Sequence, residues 1–279
     1  MSASSRIVPD NESTKNILRQ IALAPSNEKP ICEMNDTTAR DLDVIWRSLA
    51  DVATRWRGKE PMRIPGKLAD RKEFWGAFAV TNAHSILPVF RDYIVGDGKN
   101  GKGKLAYEIG CGNGGGVKLL LEAGWEVIAV DNSRSALNAL KAEHRAELES
   151  GQLTVIESDV ETFTPAEQAD LVIAADALMY TDPAQFKETW TRIHDLYLKE
   201  KGTLISNLFR SDVPANMDPE INVTKEMGAW FFPDRRMIRA LLTQTGYEVK
   251  TATFRHDRGT DNDATLCIQF RAEKLPQKN

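Results

Sequence analysis

Residues 105–133 read LAYEIGCGNGGGVKLLLEAGWEVIAVDNS, and this stretch decides the fold. Its order is an apolar strand, a glycine-rich turn, a leucine-rich helix and a second apolar strand that ends at Asp131. Asp131 lies 131 − 110 = 21 residues after Gly110, the first glycine of the turn. A strand–helix–strand unit with an acid about 20 residues beyond its first glycine is how a fold grips ribose hydroxyls. The stretch therefore predicts a nucleoside cofactor.

Two kinds of cofactor fit this turn, and Glu108 separates them. The spacing Gly110-x-Gly112-x-x-Gly115 satisfies the dinucleotide pattern, which favours a nicotinamide cofactor. Glu108, two residues before the first glycine, would repel a diphosphate where charge is poorly screened. The same carboxylate would attract the ammonium of a methionyl group. S-Adenosylmethionine is therefore the preferred interpretation, and a nicotinamide cofactor is the alternative.

The E-x-G-x-G turn from Glu108 to Gly112 resembles motif I of class I S-adenosylmethionine-dependent methyltransferases. The resemblance implies that Glu108 binds the methionyl ammonium, that the turn backbone approaches the methionyl part, and that Asp131 binds the ribose. It also implies that Asp159, after the third strand, contacts the adenine amino group, although a turn-forming role is open. The full set of expected cofactor-binding residues is Glu108, Gly110, Gly112, Asp131, Asn132, Asp159, Val160 and Asp176.

The rest of the pattern predicts an α/β fold, a Rossmann-like seven-stranded class I methyltransferase sheet with helices on both faces. Further strands are expected at residues 153–156, 169–175, 203–207, 247–254 and 265–271, and helices at 133–149, 183–199 and 234–245. The last two strands match the antiparallel ending of this methyltransferase fold. Ligands of such sheets bind beyond the carboxyl ends of the strands, so the expected site residues should share that edge.

Three parts of the chain are expected. Residues 1–30 read as a flexible tail, residues 31–100 as an N-terminal helical extension or lid, and residues 101–275 as the methyltransferase domain. Within the extension, helical periodicity covers residues 37–57 and 74–95, and a proline- and glycine-containing loop or linker covers residues 58–73.

Methyl transfer needs alignment, exclusion of water and, for some acceptors, a base. Asp176 and Tyr180 leave the fourth strand at the expected edge and are candidate catalytic residues, although Asp176 also fits a capping role. Trp75 and the Trp230-Phe231-Phe232 run are candidate lid residues, with core packing as the alternative. Arg210, in the insertion after the fifth strand, is a further candidate for substrate binding.

From Glu108 onward the chain resembles bacterial tellurite-resistance methyltransferases and their small-molecule relatives. The shared features are the G-C-G-N-G turn, the Leu-Met-Tyr after the fourth strand, the F-P-D-R-R-M segment and a histidine–arginine cluster near the last hairpin. This resemblance implies a catalytic role for His256 and substrate binding by Arg255 and Arg258. The long N-terminal extension departs from that family.

The composition of the chain limits the kinds of molecule that it is expected to bind. The chain has 279 residues and a net charge of −4, which disfavours nucleic acid as the default partner. Three scattered cysteines predict neither a disulfide framework nor a metal site, and no apolar run is long enough to span a membrane. A cytoplasmic enzyme with a small-molecule substrate is expected. Two alternatives stay open: a protein or RNA acceptor docked by the basic 55–72 segment, and a non-catalytic protein that binds S-adenosylmethionine.

Overall fold

The computed structural model describes residues 42–55, 62–64, 67–69, 87–211, 228–254 and 267–276. The predictions for residues 1–30, for Trp75 and for Arg255, His256 and Arg258 lie outside the described residues. No helix in the described part of the chain is long and apolar enough to cross a membrane.

The strands of these segments form a small hairpin and one large sheet. In chain order they are β1 Met62–Ile64, β2 Lys67–Ala69, β3 Leu105–Ile109, β4 Glu126–Asp131, β5 Leu153–Glu157, β6 Ala169–Ala174, β7 Leu198–Phe209, β8 Tyr247–Phe254 and β9 Cys267–Lys274. The large sheet has the order β5-β4-β3-β6-β7-β9-β8. Strands β3 to β7 pair in parallel, whereas β9 runs antiparallel to both β7 and β8. The predicted seven-stranded sheet with its antiparallel ending is confirmed.

Helices cover both faces of this sheet. They are α1 Leu42–Arg55, α2 Pro88–Val95, α3 Gly115–Glu122, α4 Arg134–Glu143, α5 Arg145–Ser150, α6 Phe186–Arg192 and α7 Arg235–Gln244, with a 3₁₀ turn at Leu178–Tyr180 and a π turn at Ile193–Tyr197. Side-chain caps begin two of them: the Ser133 hydroxyl accepts a hydrogen bond from Ala136 N, and the Asp234 carboxylate accepts one from Met237 N. Such caps satisfy amide groups that the first helical turn leaves without partners.

Each face has its own apolar core. On one face, Ile45 and Leu49 of α1 are buried with the apolar side of α7, and Lys187 lies 5.4 Å above the Trp46 ring. On the other face, Phe90 of α2 is buried with Val117 and other residues of α3. Complete burial of one such side chain is worth about 1.5–3 kcal/mol, so these contacts hold α1 and α2 against opposite faces.

Three local predictions are wrong. Residues 58–73 were expected to be a loop or linker, but β1 and β2 form an antiparallel hairpin in which Ile64 pairs with Lys67. The helix expected over residues 133–149 is two helices, because the backbone of His144 leaves helical geometry at φ −113° and ψ 45°.

The third correction concerns the helix expected over residues 183–199. Helix α6 ends at Arg192, a π turn follows, and β7 already begins at Leu198. Leu198 pairs with Ala169, and the register then shifts before Thr203 pairs with Leu171. The π turn and the start of β7 each bury one side of the chain. Their apolar residues therefore have the same sequence pattern as a helix that continues.

Candidate active site

The glycine turn places backbone where no side chain fits. Gly110 and Gly114 have φ values of +68° and +93°, which other residues rarely adopt. A Cβ on Gly110 would lie 2.7 Å from Cβ of Ala177, which follows β6. The amides of Gly110 and Cys111 both donate to the carbonyl oxygen of Val130, at 2.8 and 3.1 Å. The turn therefore lies close to the ends of both β4 and β6.

Glu108 is buried behind this turn. A Cβ on Gly116 would lie 2.3 Å from Glu108 Oε1 and 2.9 Å from Cε1 of Phe90, so the glycine leaves space for the carboxyl group. Within the described part of the chain, Glu108 Oε2 has no hydrogen-bond partner. Burial, and secondarily the charge of Asp131, raises the pKa of Glu108 to about 8. A cation beside this carboxyl would satisfy it, as an ammonium group does.

Asp131 is oriented by two backbone amides. Its Oδ2 accepts from Gly112 N at 2.9 Å and its Oδ1 accepts from Ser133 N at 2.7 Å. Burial raises its pKa even though these hydrogen bonds act in the opposite direction. Each carboxylate oxygen can accept a second hydrogen bond, so the arrangement suits a ligand with two hydroxyl groups.

The ends of β4 and β5 are joined beside Asp131. The Asn132 side-chain amide donates to Asp159 Oδ1 at 2.7 Å, and Ser158 N donates to the carbonyl oxygen of Asp131 at 3.0 Å. Asp159 is exposed, and Val160 is half-buried against the core. The expected adenine-side residues are therefore adjacent to the expected ribose-side residue.

Asp176 lies at the end of β6 in a left-handed backbone conformation, with φ +49°. Asn207 of β7 is completely buried and holds it: Asp176 N donates to Asn207 Oδ1 at 2.7 Å, and Asn207 Nδ2 donates to Asp176 Oδ1 at 2.6 Å. The sequence pattern did not predict Asn207 as a site residue. The signal that could have indicated it is a polar amide within the otherwise apolar end of a strand that was expected to be buried.

An aromatic group lies beyond the ends of β6 and β7. Tyr180 meets Phe209 edge to face with ring centroids 6.2 Å apart, and Phe209 lies 5.7 Å from Phe231. Tyr180 is half-buried, whereas Trp230 is buried against Phe186 at 4.9 Å. Tyr180, a candidate catalytic residue, is thus more accessible than Trp230, a candidate lid residue.

Backbone hydrogen bonds tie residues 228–232 to this group. Trp230 N donates to Met179 O, Phe232 N donates to Phe209 O, and Ser211 N donates to Phe232 O. Arg210 is buried and forms an isolated bridge with Phe232. This short segment, residues 228–232, therefore crosses the ends of β6 and β7.

The structure brings most of the expected residues together. Those at the carboxyl edge of β3, β4, β5 and β6 are Glu108, Gly110, Gly112, Asp131, Asn132, Asp159, Val160 and Asp176. Trp230 and Arg210 lie further along, past β7. Burial raises the pKa of the Cys111 thiol well above its usual range, which disfavours the thiolate form that a nucleophile needs. Among the described residues, no group of His, Cys, Asp and Glu side chains is arranged to hold a metal ion.

Comparison with known proteins agrees with this geometry. Residues 106–202 match a family model described as a methyltransferase domain. The match begins at β3 and ends within β7, so it includes the glycine turn, Asp131, Asp159 and Asp176. No curated protein sequence matches the chain.

Solved structures share the fold at low sequence identity. The 1,6-didemethyltoxoflavin-N1-methyltransferase of Burkholderia thailandensis, crystallised with 1,6-didemethyltoxoflavin and S-adenosylhomocysteine, has 13% identity and a TM-score of 0.54 over 91% of this chain and 98% of its own. A protein of Bordetella parapertussis described as a possible exported protein has 17% identity and a TM-score of 0.51 over 97% and 100%. The magnesium protoporphyrin IX methyltransferase of Synechocystis has 16% identity and a TM-score of 0.49 over 95% of each chain.

The family match and the fold both indicate a methyltransferase. The matches named above do not include a tellurite-resistance methyltransferase. The buried carboxyl of Glu108, whose Oε2 has no partner among the described residues, and the oriented carboxylate of Asp131 suit a ligand with an ammonium group and a ribose. Residues 106–202 are thus similar to a methyltransferase domain, and the site at the carboxyl edge of the sheet fits S-adenosylmethionine as its cofactor.

Proposed function

We propose that this enzyme transfers a methyl group to a small molecule. The observation that carries the proposal is the segment of residues 228–232, which crosses the ends of β6 and β7 and is bonded to both Met179 and Phe209. This segment packs Phe231 against Phe209, and Phe209 meets the half-buried ring of Tyr180, four residues after Asp176. An aromatic group of this kind suits a compact acceptor with an apolar face better than a long polymer.

We assign the cofactor contacts from the same edge of the sheet. Glu108 would hold the methionyl ammonium, and the backbone of Gly110 and Gly112 would lie along the methionyl part. Asp131 would accept hydrogen bonds from the ribose hydroxyls. Asn132 holds Asp159, and Asp159 and Val160 would contact the adenine. S-Adenosylmethionine, when bound, supplies a methyl group on a sulfonium centre.

The chain's own residues would align the acceptor and keep water away. Asp176 is held rigidly by Asn207, so its carboxylate can orient the acceptor group and take its proton. Tyr180 and Phe209 present ring faces and edges on one side, which limits where an apolar acceptor can lie. In this assignment Asp176 and Tyr180 contact the acceptor, and Asn207 acts through Asp176.

The test is transfer of methyl label from S-adenosylmethionine to separated pools of small molecules, protein and RNA, with selenite and tellurite as further acceptors. The oxyanions are included because of the tellurite-resistance resemblance. Label in the small-molecule pool or in a volatile product is the expected result. Label only in protein or RNA would overturn the proposal. Absence of label in every pool, with S-adenosylhomocysteine binding intact, would favour a non-catalytic binding protein.

The matched variants are Glu108→Gln and Glu126→Gln. Both remove one carboxylate, but Glu126 is exposed at the start of β4, at the opposite edge of the sheet. Transfer should be lost in the first variant and retained in the second.

A further inference from the structure

Gln269 of β9 has one end of its side chain bonded and one end free. It is completely buried, and its Oε1 accepts a hydrogen bond from Val89 N, at the first turn of α2, at 3.1 Å. Within the residues that the structure describes, Gln269 Nε2 has no hydrogen-bond partner. A buried donor without a partner costs about 1–3 kcal/mol, so it calls for an explanation.

The orientation of this amide is fixed by chemistry. The backbone amide of Val89 is a donor, so the group that faces it must be the carbonyl oxygen of Gln269. Exchanging the two ends of the amide would set two donors against each other and leave α2 without this bond. The NH₂ group is therefore the free end.

Gln269 lies next to the proposed methyl-transfer point. It pairs directly with Asn207 across β7 and β9. Residues directly opposite in an antiparallel pair point to the same face, with Cβ atoms about 4.5–5.5 Å apart. Asn207 in turn is bonded to Asp176. Asn207 and Gln269 thus lie on the face covered by α2, and Asp176, bonded to Asn207, extends this pair into a row of three polar residues.

The two amides of this row differ in one respect. Asn207 Nδ2 already has two acceptors, Asp176 Oδ1 at 2.6 Å and Cys267 Sγ at 3.3 Å. Gln269 Nε2 has none in the described segments. Asn207 is therefore a positioning residue whose donors are used within the protein, whereas Gln269 retains a donor for something else.

The first turn of α2 lies close to both Glu108 and Gln269. Val89 N is bonded to Gln269, and the next residue, Phe90, lies close to the carboxyl of Glu108, since both meet the position of a Cβ on Gly116. Glu108 and Gln269 are on β3 and β9, three strand spacings apart, or roughly 14 Å across the sheet. That span fits a methionyl group at one end and an acceptor of one or two rings at the other.

We propose that Gln269 Nε2 binds the methyl acceptor, and that the acceptor is a small molecule with a carbonyl, carboxylate or similar oxygen that receives this hydrogen bond. The inference rests on the proposed function. It adds the chemical class of the acceptor and a residue that selects for it. A molecule without such an oxygen would leave the buried donor unpaired, which disfavours it strongly.

The test compares Gln269→Glu and Gln269→Leu with wild type in the label-transfer assay, using methyl-labelled S-adenosylmethionine and a deproteinised small-molecule extract. Glutamate keeps an oxygen for Val89 N and lacks the donor when it is ionised, whereas leucine removes both ends. Gln168→Glu is the control, because it makes the same charge change at an exposed residue just before β6. The transfer rate is divided by the number of sites that bind S-adenosylhomocysteine, so a partly unfolded variant is not mistaken for one with lower activity.

Transfer per site should fall at least tenfold in both Gln269 variants and stay unchanged in Gln168→Glu, with S-adenosylhomocysteine affinity altered less than threefold. Mass spectrometry of the wild-type product should show an oxygen hydrogen-bond acceptor. Wild-type transfer rates in Gln269→Leu, loss of S-adenosylhomocysteine binding in both variants, or a product without such an oxygen would each overturn the inference. If wild type labels no small molecule, the proposed function fails first.

Discussion

Asn207 holds Asp176 through both ends of its side-chain amide. The carbonyl oxygen accepts from the Asp176 backbone at 2.7 Å, and the NH₂ group donates to the Asp176 carboxylate at 2.6 Å. Asp176 has a φ of +49°, a conformation that costs a non-glycine residue about 1–3 kcal/mol. The two bonds offset this strain and fix the carboxylate at the end of β6.

Replacing Asn207 with alanine should destabilise the protein. The change leaves a buried backbone amide without its partner and opens a small cavity, and together these effects should cost about 2–4 kcal/mol. Urea unfolding, followed by circular dichroism, measures the loss. Asn138→Ala, at an exposed position of α4, is the control and should change the free energy of unfolding by less than about 0.5 kcal/mol. Equal stability of the two variants would show that the bonds to Asp176 contribute little.

Cofactor affinity should depend on pH through Glu108. Burial raises the pKa of this carboxyl to about 8 in the ligand-free protein, and the nearby charge of Asp131 adds to the shift. Binding an ammonium group requires the carboxylate, so below this pKa the proton must leave when the cofactor binds. Affinity for S-adenosylhomocysteine should therefore fall about tenfold per unit as the pH drops below 8. Calorimetry in buffers of different ionisation enthalpy should detect the released proton.

Two controls isolate this effect. The nucleoside 5′-deoxy-5′-methylthioadenosine has no ammonium group, so its affinity should not follow the same slope. Glu108→Gln has no proton to release, so its weaker binding of S-adenosylhomocysteine should be independent of pH in that range. A slope that persists in Glu108→Gln would assign the proton to another group.

The stability of the ligand-free protein should show the opposite trend. The pKa of Glu108 is higher in the folded protein than in the unfolded chain, so the folded state holds the proton more tightly. This contribution is complete at low pH and is lost as the pH rises through about 8. The free energy of unfolding of wild type, measured against Glu108→Gln, should decrease from the ordinary pKa of the carboxyl, 4.5, up to about pH 8 and level off above it. A constant difference between the two proteins would mean that Glu108 keeps its charge throughout.

The sequence predicts the sheet and the cofactor side because both rest on local patterns. The strand, glycine turn and helix around Glu108 and Asp131 lie within one contiguous stretch, so spacing alone places their residues at one edge. The strands of the antiparallel ending were also found, because their apolar runs are bounded by turn residues. The break at His144 has no such sign, since the leucines on both sides keep helical spacing.

The acceptor side depends on contacts between distant parts of the chain. Asn207 and Asp176 are 31 residues apart, and Val89 and Gln269 are 180 apart. The role of each amide is set by a partner that only folding brings near, so a single sequence contains little sign of it. The Trp230-Phe231-Phe232 run shows the same ambiguity, because aromatic residues have identical patterns in a lid and in a core.

Asp131→Ala should weaken cofactor binding at least tenfold, which is about 1.4 kcal/mol. The carboxylate orients the glycine turn through Gly112 N and is the expected partner of the ribose hydroxyls, so its loss affects both. Isothermal calorimetry with S-adenosylhomocysteine measures the change. Asp92→Ala removes an exposed carboxylate of α2 and should bind as wild type does. Unchanged affinity in Asp131→Ala would remove this residue from the cofactor site.

Gly116→Ala should weaken cofactor binding more than it lowers the stability of the protein. The new Cβ would lie 2.3 Å from Glu108 Oε1 and 2.9 Å from Phe90 Cε1, so the carboxyl group must move. Alanine is a better helix former than glycine by about 1 kcal/mol, which offsets part of the strain within α3. Affinity for S-adenosylhomocysteine should fall at least tenfold, while the affinity for 5′-deoxy-5′-methylthioadenosine changes much less. Lys118→Ala, exposed on the same helix, should bind both nucleosides normally. Equal losses for the two nucleosides in Gly116→Ala would mean that the whole turn has moved, and the assignment of Glu108 to the ammonium group would then lose its support.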